Sequence, residues 1–297
     1  MTNEFHRSVL LKEVIDLLQI KKGKKYIDAT LGGGGHTKKI LELGGLVLGI
    51  DADQDAIDHV QNTIQDQNLT QVLGNFKDIA NIADLHGFSK VAGIIYDLGI
   101  SSRQIEDANR GFSFQKEGPL DMRMDTNVSV TASDLANLLT EKELYEIFTK
   151  FGEEHRAMAI SAALVRARRI KAIRTTGDLL KIIEGVYGVK GEVSNKFRGE
   201  MGKRVFQAFR IAVNSELENL KESLYKGIEL LETRGRLVVI SFHSLEDRIV
   251  KESFLDFQKK NLGRVITKKI ILPSIREMEI NPRSRSAKLR VFEKIIN

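Results

Sequence analysis

Three carboxylates that could bind hydroxyl groups or cations follow apolar runs in the first third of the chain. Asp28 ends the short run that starts at Lys25, and Asp51 ends the run that starts at Leu46. Asp97 closes Val91-Ala-Gly-Ile-Ile-Tyr, the most apolar of the three runs. Such runs are typical of buried parallel strands, and ligands bind at the carboxyl ends of these strands. The sequence therefore predicts a ligand site where these acids lie.

Four consecutive glycines, residues 32–35, follow the first of these strands and lead into a helix that starts near His36. Glycine lets the backbone approach a ligand closely, and the first turn of a helix presents unpaired N–H groups to it. Asp51 follows Asp28 by 23 positions, close to the roughly 20-residue offset of a carboxylate that binds a ribose hydroxyl. We expect a cofactor that carries a ribose.

The glycine pattern also narrows the choice of cofactor. The nicotinamide fingerprint G-x-G-x-x-G fails, because Thr37 or Lys38 stands where its last glycine is required. The sequence also contains no G-x-x-x-x-G-K-[ST] phosphate loop. A ligand with ribose hydroxyls and a charged amino-acid tail but no phosphates fits better, which indicates S-adenosylmethionine. The alternative is a glycine turn with a purely structural role.

Composition indicates a globular protein with a preference for polyanions. The 297 residues are 42% hydrophobic and 29% charged, with a net charge of +6 and a pI near 9.3. The absence of cysteine excludes disulfides and cysteine-based nucleophiles or metal sites. No segment approaches the roughly 18 apolar residues of a membrane span. We therefore expect a soluble cytoplasmic protein without a membrane partner.

The order of elements predicts an α/β fold with an insertion. Strands alternate with helices up to Asp97, which is typical of a doubly wound parallel sheet. The next clear strand, Arg236–Phe242, begins 139 positions later, far more than a crossover needs. A helix over Phe206–Leu231 is the expected crossover, and Val265–Leu272 and Leu289–Ile296 are expected to pair as antiparallel strands at the sheet edge.

We therefore predict two domains. Residues 1–102 and 203–297 form a discontinuous cofactor-binding domain, and residues 103–202 form an inserted small helical domain for substrate recognition. Apolar periodicity in the insertion predicts helices near 131–150, 153–174 and 176–186.

Eight motifs together resemble those of one family. They are His6-Arg-Ser-Val-Leu-Leu, Asp28-Ala-Thr-Leu-Gly-Gly-Gly-Gly-His36, Asp97-Leu-Gly-Ile-Ser-Ser102, Arg110-Gly-Phe-Ser-Phe114, Gly118-Pro-Leu-Asp-Met-Arg-Met-Asp125, Phe206-Gln-Ala-Phe-Arg-Ile-Ala-Val-Asn-Ser-Glu-Leu217, Ser241-Phe-His-Ser-Leu-Glu-Asp-Arg248 and Asn281-Pro-Arg-Ser-Arg-Ser286. Nearly from end to end, the chain resembles the bacterial 16S ribosomal RNA cytosine-N4 methyltransferases, which modify a cytidine of the decoding centre.

The resemblance implies a Rossmann-like class I methyltransferase fold, S-adenosylmethionine as cofactor and 16S ribosomal RNA, within the small ribosomal subunit, as partner. The cofactor contacts that it implies are Gly34, Gly35, His36, Asp51, Phe76, Asp97 and Gln104.

Methyl transfer from a sulfonium needs positioning and electrostatics more than acid–base chemistry. Cytosine N4 needs acceptors that hold the amine, and amino-methyltransferases commonly use Asp/Asn-Pro-Pro-aromatic after strand four. Here Asp97-Leu-Gly-Ile100 keeps only the acid, so Asp97 could hold the amine, the cofactor or both. His243 and Ser244, after the fifth strand, are further candidates to contact the base or take its proton.

Other functions fit the sequence less well. A hydrolase is disfavoured because the sequence contains no G-x-S-x-G elbow. A metal site at His243, Glu246 and Asp247 would lack a second cluster of ligands, so no metal is expected. A nicotinamide oxidoreductase is disfavoured by the failed fingerprint. A non-catalytic RNA-binding factor that assists ribosome assembly on the same fold stays open.

RNA contacts are expected at basic side chains and at the entrance to the insertion, because phosphate neutralisation dominates affinity. The candidate residues are Phe112, Phe114, Arg166, Arg169, Lys196, Arg198, Lys203, Arg204, Arg283 and Arg285. For the cluster near Arg166 the alternative is that cations merely complement a helix C-terminus.

Overall fold

The computed structural model of the protein describes residues 8–189 and 195–295, without the side chains at positions 102, 195, 196 and 198. The start of the motif at His6 and the RNA candidates Lys196 and Arg198 therefore lie outside the described residues or side chains. The chain divides into two compact units. The sheet unit is the chain up to Gly99 together with Leu217 onward, and the helical unit is Ile100–Glu216. The helical unit contains all of the predicted insertion and the residues up to Glu216.

Helices and strands alternate through the first half of the sheet unit. The strands are β1 (Lys25–Asp28), β2 (Leu46–Asp51), β3 (Leu69–Leu73), β4 (Val91–Asp97), β5 (Leu231–Ser241), β6 (Gly263–Val265) and β7 (Lys288–Lys294). The α-helices are α1 (Leu11–Leu18), α2 (Gly35–Glu42), α3 (Gln54–Thr63), α4 (Ile79–Leu85), α5 (Ser102–Glu106), α6 (Ala132–Leu138), α7 (Glu141–Lys150), α8 (Ala157–Arg168), α9 (Thr176–Tyr187), α10 (Asn195–Asn214), α11 (Glu216–Leu230), α12 (Ser244–Lys259) and α13 (Ile275–Ile280).

The described strands form one sheet in the order β3-β2-β1-β4-β5-β7-β6. Strands β1 to β5 are parallel to their neighbours, whereas β7 pairs antiparallel with β5 and with β6. Side chains alternate between the faces of a strand. Thus Ile94 packs in one core with Leu224 and Phe254, while Ile95 packs in a second core with Val14. This confirms the predicted doubly wound sheet, mostly parallel with an antiparallel edge.

The predicted helix over Phe206–Leu231 is wrong, because two helices occupy this stretch. α10 ends at Asn214 and α11 begins at Glu216, with Ser215 between them at a φ of 49°. Phe209 packs in the core of the helical unit and Leu224 packs in that of the sheet unit. The apolar period of three and four continues through the break, so periodicity could not reveal it.

Two further departures are also breaks in a predicted element. The helix expected over 131–150 is split into α6 and α7, because Thr140 caps a new helix in a capping box with Glu143. The predicted strand Val265–Leu272 contributes only β6 and one isolated bridge, Ile271 to Leu289. Over the described ranges, no helix is both long enough and apolar enough to cross a bilayer.

Candidate active site

The carboxyl ends of β1, β2 and β4 bring the predicted acids to one edge of the sheet. In the sheet register, Asp28 lies opposite Gly49 of β2 and Ile95 of β4. Thr30, just beyond β1, links the ends of β1 and β4. Its N–H donates to Asp28 Oδ1 at 3.3 Å, and its hydroxyl accepts from the N–H of Asp97 at 2.6 Å. Thr30 was not singled out from the sequence, although its place in the Asp28–His36 motif was a usable signal.

Asp51 is held by two backbone N–H groups, one for each oxygen. Gly32 donates to Oδ2 at 2.8 Å and Asp53 donates to Oδ1 at 2.9 Å. Burial raises the pKa of Asp51 to about 6, against the opposing effect of these hydrogen bonds. Each carboxylate oxygen can accept a second hydrogen bond. The fixed carboxylate can therefore accept from two adjacent hydroxyls, as predicted for a ribose.

Asp28 is more deeply enclosed, with 1% of its surface exposed. The Thr37 hydroxyl donates to its Oδ2 at 2.8 Å. Burial raises the pKa of Asp28 to about 6, while hydrogen bonds from Thr37 and Thr30 act in the opposite direction. Asp28 thus ties the end of β1 to α2 and adds negative charge beneath the site.

Asp97 is the least stabilised of the three acids. Its Oδ1 is buried and has no hydrogen-bond partner among the described residues, and its Oδ2 lies 3.7 Å from Nδ1 of His36. Burial, followed by repulsion from Asp28 and Glu246, raises the pKa of Asp97 to about 8. A buried, unpartnered acceptor costs stability unless a ligand donates to it. Asp97 is therefore suited to accept from an amine or to face a positive charge.

His36 is buried, and its Nε2 lies 3.2 Å from the carbonyl oxygen of Val9. A carbonyl only accepts, so Nε2 carries the hydrogen and Nδ1 is the nitrogen that faces Asp97. The imidazole is thus part of the wall behind Asp97. The implied contact with S-adenosylmethionine would involve the backbone at the start of α2.

Two of the four glycines are required by the packing of the protein itself. At Gly34 the φ is 74°, and an added Cβ would lie 2.8 Å from Ile64 Cδ1. At Gly35 an added Cβ would lie 2.0 Å from the Ser8 hydroxyl oxygen. At Gly32 the φ is 49°, and nothing lies closer to an added Cβ than 3.7 Å. The backbone of residues 32–35 lies at the sheet edge, but neighbouring side chains alone account for glycine at positions 34 and 35.

Phe76 follows β3 and is partly buried. Its ring meets Tyr96 edge to face, with centroids 5.9 Å apart, and its carbonyl accepts from the Ser223 hydroxyl at 2.7 Å. The same hydroxyl lies 2.8 Å from the Tyr96 hydroxyl. This network holds Phe76 at the end of β3, and the implied contact of Phe76 with the cofactor stays a prediction.

His243 and Ser244 begin α12, and His243 has a clear structural role. Its Nδ1 accepts from the N–H of Glu246 at 3.4 Å, while Glu246 Oε2 accepts from the N–H of Phe242 at 2.7 Å. His243 Nε2 is 3.1 Å from Glu246 Oε1, but the two are not aligned for a hydrogen bond. Ser244 is exposed in the first turn of α12. The predicted contact of His243 with the base or its proton would therefore require a side chain that already caps α12.

Glu246, which was considered from the sequence only as a metal ligand, has another role at this edge of the sheet. It is 2% exposed, and its charge is one of the causes of the raised pKa of Asp97. Its spacing from His243 was the available signal, since an acid three positions after a capping residue is typical of a helix start.

The remaining predicted site residues lie in the helical unit or at the chain's C-terminal end. Gln104 Oε1 accepts from the N–H of Ser101 at 2.9 Å in the capping box of α5, so its implied cofactor contact stays a prediction. Phe112 is 7% exposed within the core of the helical unit, so its predicted RNA contact is not supported by its position. Phe114 is partly buried and meets Phe206 edge to face, with centroids 5.7 Å apart.

The basic candidates with described side chains are mostly at the surface. Arg166, Arg169 and Lys203 are exposed, as are Arg283 and Arg285 in the 3-10 turn before β7, whereas Arg204 is half-buried. Their contact with RNA stays a prediction.

The chain resembles known proteins over nearly its whole length. The sequence profile described as the MraW methylase family matches residues 3–295. A protein of Halothermothrix orenii called ribosomal RNA small subunit methyltransferase H is 41% identical, over 98% of this chain and 99% of its own length. A Clostridium botulinum protein of the same name is 43% identical over the same shares. A Clostridium thermocellum structure titled putative rRNA-methylase is 15% identical and covers 98% of this chain and all of its own, with a TM-score of 0.46.

Proposed function

Because the chain belongs to the MraW methylase family, we propose that it transfers a methyl group from S-adenosylmethionine to the exocyclic N4 of a cytidine in the decoding region of 16S ribosomal RNA. Family membership confirms the predicted enzyme class, a methyltransferase, and S-adenosylmethionine as its cofactor. The sheet order agrees with the predicted Rossmann-like fold. The ribosomal RNA substrate is supported by the names of the relatives, and the cytosine N4 by the motif resemblance.

One observation carries the choice of an amine as the methyl acceptor. The buried Oδ1 of Asp97 has no hydrogen-bond partner among the described residues and lies at the carboxyl edge of the sheet. An exocyclic amine is a donor, and it attacks only when an acceptor favours the positive charge that develops on it. A single carboxylate at this position supplies that acceptor.

The cofactor supplies an electrophilic methyl group on a positively charged sulfur. Asp97 would hold the N4 amine towards that methyl group, which would pass to the nitrogen with the sulfonium sulfur as the leaving group. N4 then carries one hydrogen too many, and Asp97 in its ionised form can take it. A pKa of about 8 suits a group that gains a proton during turnover and returns it to water near neutral pH.

The other residues of the edge hold the cofactor. Asp51, fixed by Gly32 and Asp53, would accept from the ribose hydroxyls. Burial raises the pKa of both Asp28 and Asp97. In their ionised forms the two acids would add negative charge that favours a cationic ligand. The carboxylates present thus fit the chemistry of the group.

Labelling will test this proposal. The protein would be incubated with methyl-labelled S-adenosylmethionine and small ribosomal subunits that lack the modification, and the RNA would be digested to nucleosides. We expect label in N4-methylcytidine from the decoding region. Asp97→Asn should slow transfer by about a hundredfold or more, whereas Asp58→Asn, which changes an exposed acid on α3, should leave the rate unchanged. Label in another nucleoside, or at another position, would overturn the proposal.

A non-catalytic assembly factor is the second candidate. The Asp97→Asn variant distinguishes such a factor from an enzyme. Such a factor would bind the subunit and retain its cellular effect in the Asp97→Asn variant. Loss of both methylation and effect in that variant supports the enzyme.

A further inference from the structure

Helices α8 and α9 of the helical unit enclose an open groove of about 870 Å³. Its lining includes small residues, Ala159, Ala162 and Ala163 on α8 and Gly185 on α9. An added Cβ at Gly185 would meet nothing within 4 Å. Glycine inside a helix costs stability relative to alanine, and no neighbouring atom requires it here.

Every charged or titratable side chain that lines this groove is basic. They are His155, Arg156, Arg166 and Lys181, and no acid is among the described lining residues. Arg166 and Lys181 are exposed, and neither side chain makes a hydrogen bond or an ion pair with another described residue. Both cations are therefore available to a ligand.

Arg156 is held in a defined orientation. Its Nη1 donates to the carbonyl of Val186 at 2.8 Å, and its guanidinium lies 4.4 Å from the centre of the Tyr187 ring. An ordered guanidinium loses little freedom when it binds an anion. Apolar contacts are offered by Ile182 and by Met158, which is 68% exposed.

We propose that this α8–α9 groove binds the sugar–phosphate backbone of a single-stranded segment of the ribosomal RNA substrate. The inference rests on the proposed function and adds a binding surface to it. Cations without interspersed acids complement a chain of phosphates, and apolar side chains between them give a base or ribose a surface to contact. The described lining offers four basic side chains and no acid, so charge complementarity favours RNA as the occupant over an amphipathic protein helix.

Two variants test the groove by different means. Arg166→Gln combined with Lys181→Gln removes the two exposed cations. Gly185→Leu adds an apolar side chain to the lining at a position where an added Cβ meets nothing within 4 Å. The matched control is Lys142→Gln combined with Lys150→Gln on α7, where both lysines are exposed. Affinity for a fluorescent single-stranded oligoribonucleotide of the decoding-region sequence, and for protein-free 16S RNA, would be measured at several salt concentrations.

We expect the charge variant to bind about tenfold more weakly and the slope of log affinity against log salt to fall by about 1.4, since each phosphate contact on a single strand contributes about 0.7. Gly185→Leu should also weaken binding, with an unchanged or higher melting temperature. The control variant should bind like the parent protein. The dissociation constant for S-adenosylmethionine should be the same in all of them.

An unchanged salt slope in the charge variant would overturn the proposal. Weakened binding to assembled subunits with normal binding to protein-free RNA would also overturn it, and would indicate a ribosomal protein in the groove. Failure of the parent protein to methylate RNA would contradict the proposed function instead, because the binding measurements do not depend on turnover.

Discussion

The Nδ1 atom of His36 lies 3.7 Å from Oδ2 of Asp97, while the Nε2 atom on the opposite side of the ring is bonded to the carbonyl of Val9. The bond to Val9 fixes which nitrogen carries the hydrogen. The nitrogen that faces Asp97 is thus a lone pair in the neutral ring and a donor in the charged ring. The acid that we place next to the target amine is therefore backed by a group that responds to its protonation.

We expect ring nitrogen chemical shifts to report this arrangement. In ¹⁵N spectra of the free protein, Nε2 of His36 should have the shift of a protonated nitrogen, and Nδ1 should change as Asp97 titrates near pH 8. Asp97→Asn should remove the change near pH 8 and leave Nε2 protonated. A ring in which Nδ1 alone is protonated would contradict the assignment.

Asp97→Asn should lower the rate of methyl transfer by about a hundredfold or more, because the acceptor for the amine proton is lost. Single-turnover rates with bound S-adenosylmethionine would measure this loss. Substituting another buried acid, as in Asp28→Asn, should act mainly on cofactor affinity, so the two variants should differ in which constant changes.

The same substitution should stabilise the free protein in alkaline solution. Burial raises the pKa of Asp97 from 3.8 to about 8, so between these values the folded protein holds a proton that the unfolded chain has lost. Stability therefore falls as the pH rises from about 4 to about 8. Asparagine does not ionise, and at pH 9 we expect the variant to be more stable by about 2 kcal/mol. Urea unfolding at pH 5 and pH 9 would measure this difference, and equal stabilisation at both would contradict it.

Cofactor affinity should depend on pH in a way that reports the charge of sulfur. Burial raises the pKa of Asp51 to about 6 and that of Asp97 to about 8, so both become ionised as the pH rises from 6 to 9. S-adenosylmethionine is positively charged at sulfur and S-adenosylhomocysteine is not, although the rest of the two molecules is alike. We expect the preference for the charged ligand to increase by about tenfold over this range. Calorimetric titrations in parallel would detect it, and a constant ratio would argue against the acids facing the sulfur.

Gly35→Ala should destabilise the protein by about 1–3 kcal/mol, since its Cβ would lie 2.0 Å from the Ser8 hydroxyl oxygen. Removing that oxygen with Ser8→Ala should recover part of the loss in the double variant. Gly185→Ala is the matched control, because nothing lies within 4 Å of its added Cβ, and it should be neutral or stabilising by up to about 1 kcal/mol. Thermal unfolding of the parent protein, the three single variants and the double variant would measure these differences, and additive effects at positions 8 and 35 would contradict the contact.

Much of the sheet unit was predictable because its signals are local. Apolar runs that end in acids predicted β1, β2 and β4, and the long gap before β5 predicted an insertion. The motifs also indicated the family, and spacing led to the prediction that Asp51 binds a ribose. These features depend on residues close together in the chain or on the number of residues between them.

The tertiary structure alone decided what depends on distant neighbours. The period of three and four runs unbroken through Ser215, yet the residues on its two sides pack in different cores, so the helix ends there. Phe112, which was predicted to contact RNA, is buried in the helical unit. Likewise, the charge of Asp97 depends on burial and on Glu246, which comes 149 positions later in the chain. The sequence by itself determined the individual strands and helices of the sheet unit, the cofactor class and the family, because each is encoded in residue type and spacing. Packing determined the break between α10 and α11, the need for glycine at positions 34 and 35, and the protonation of Asp97. Each of these depends on atoms that only the fold brings together.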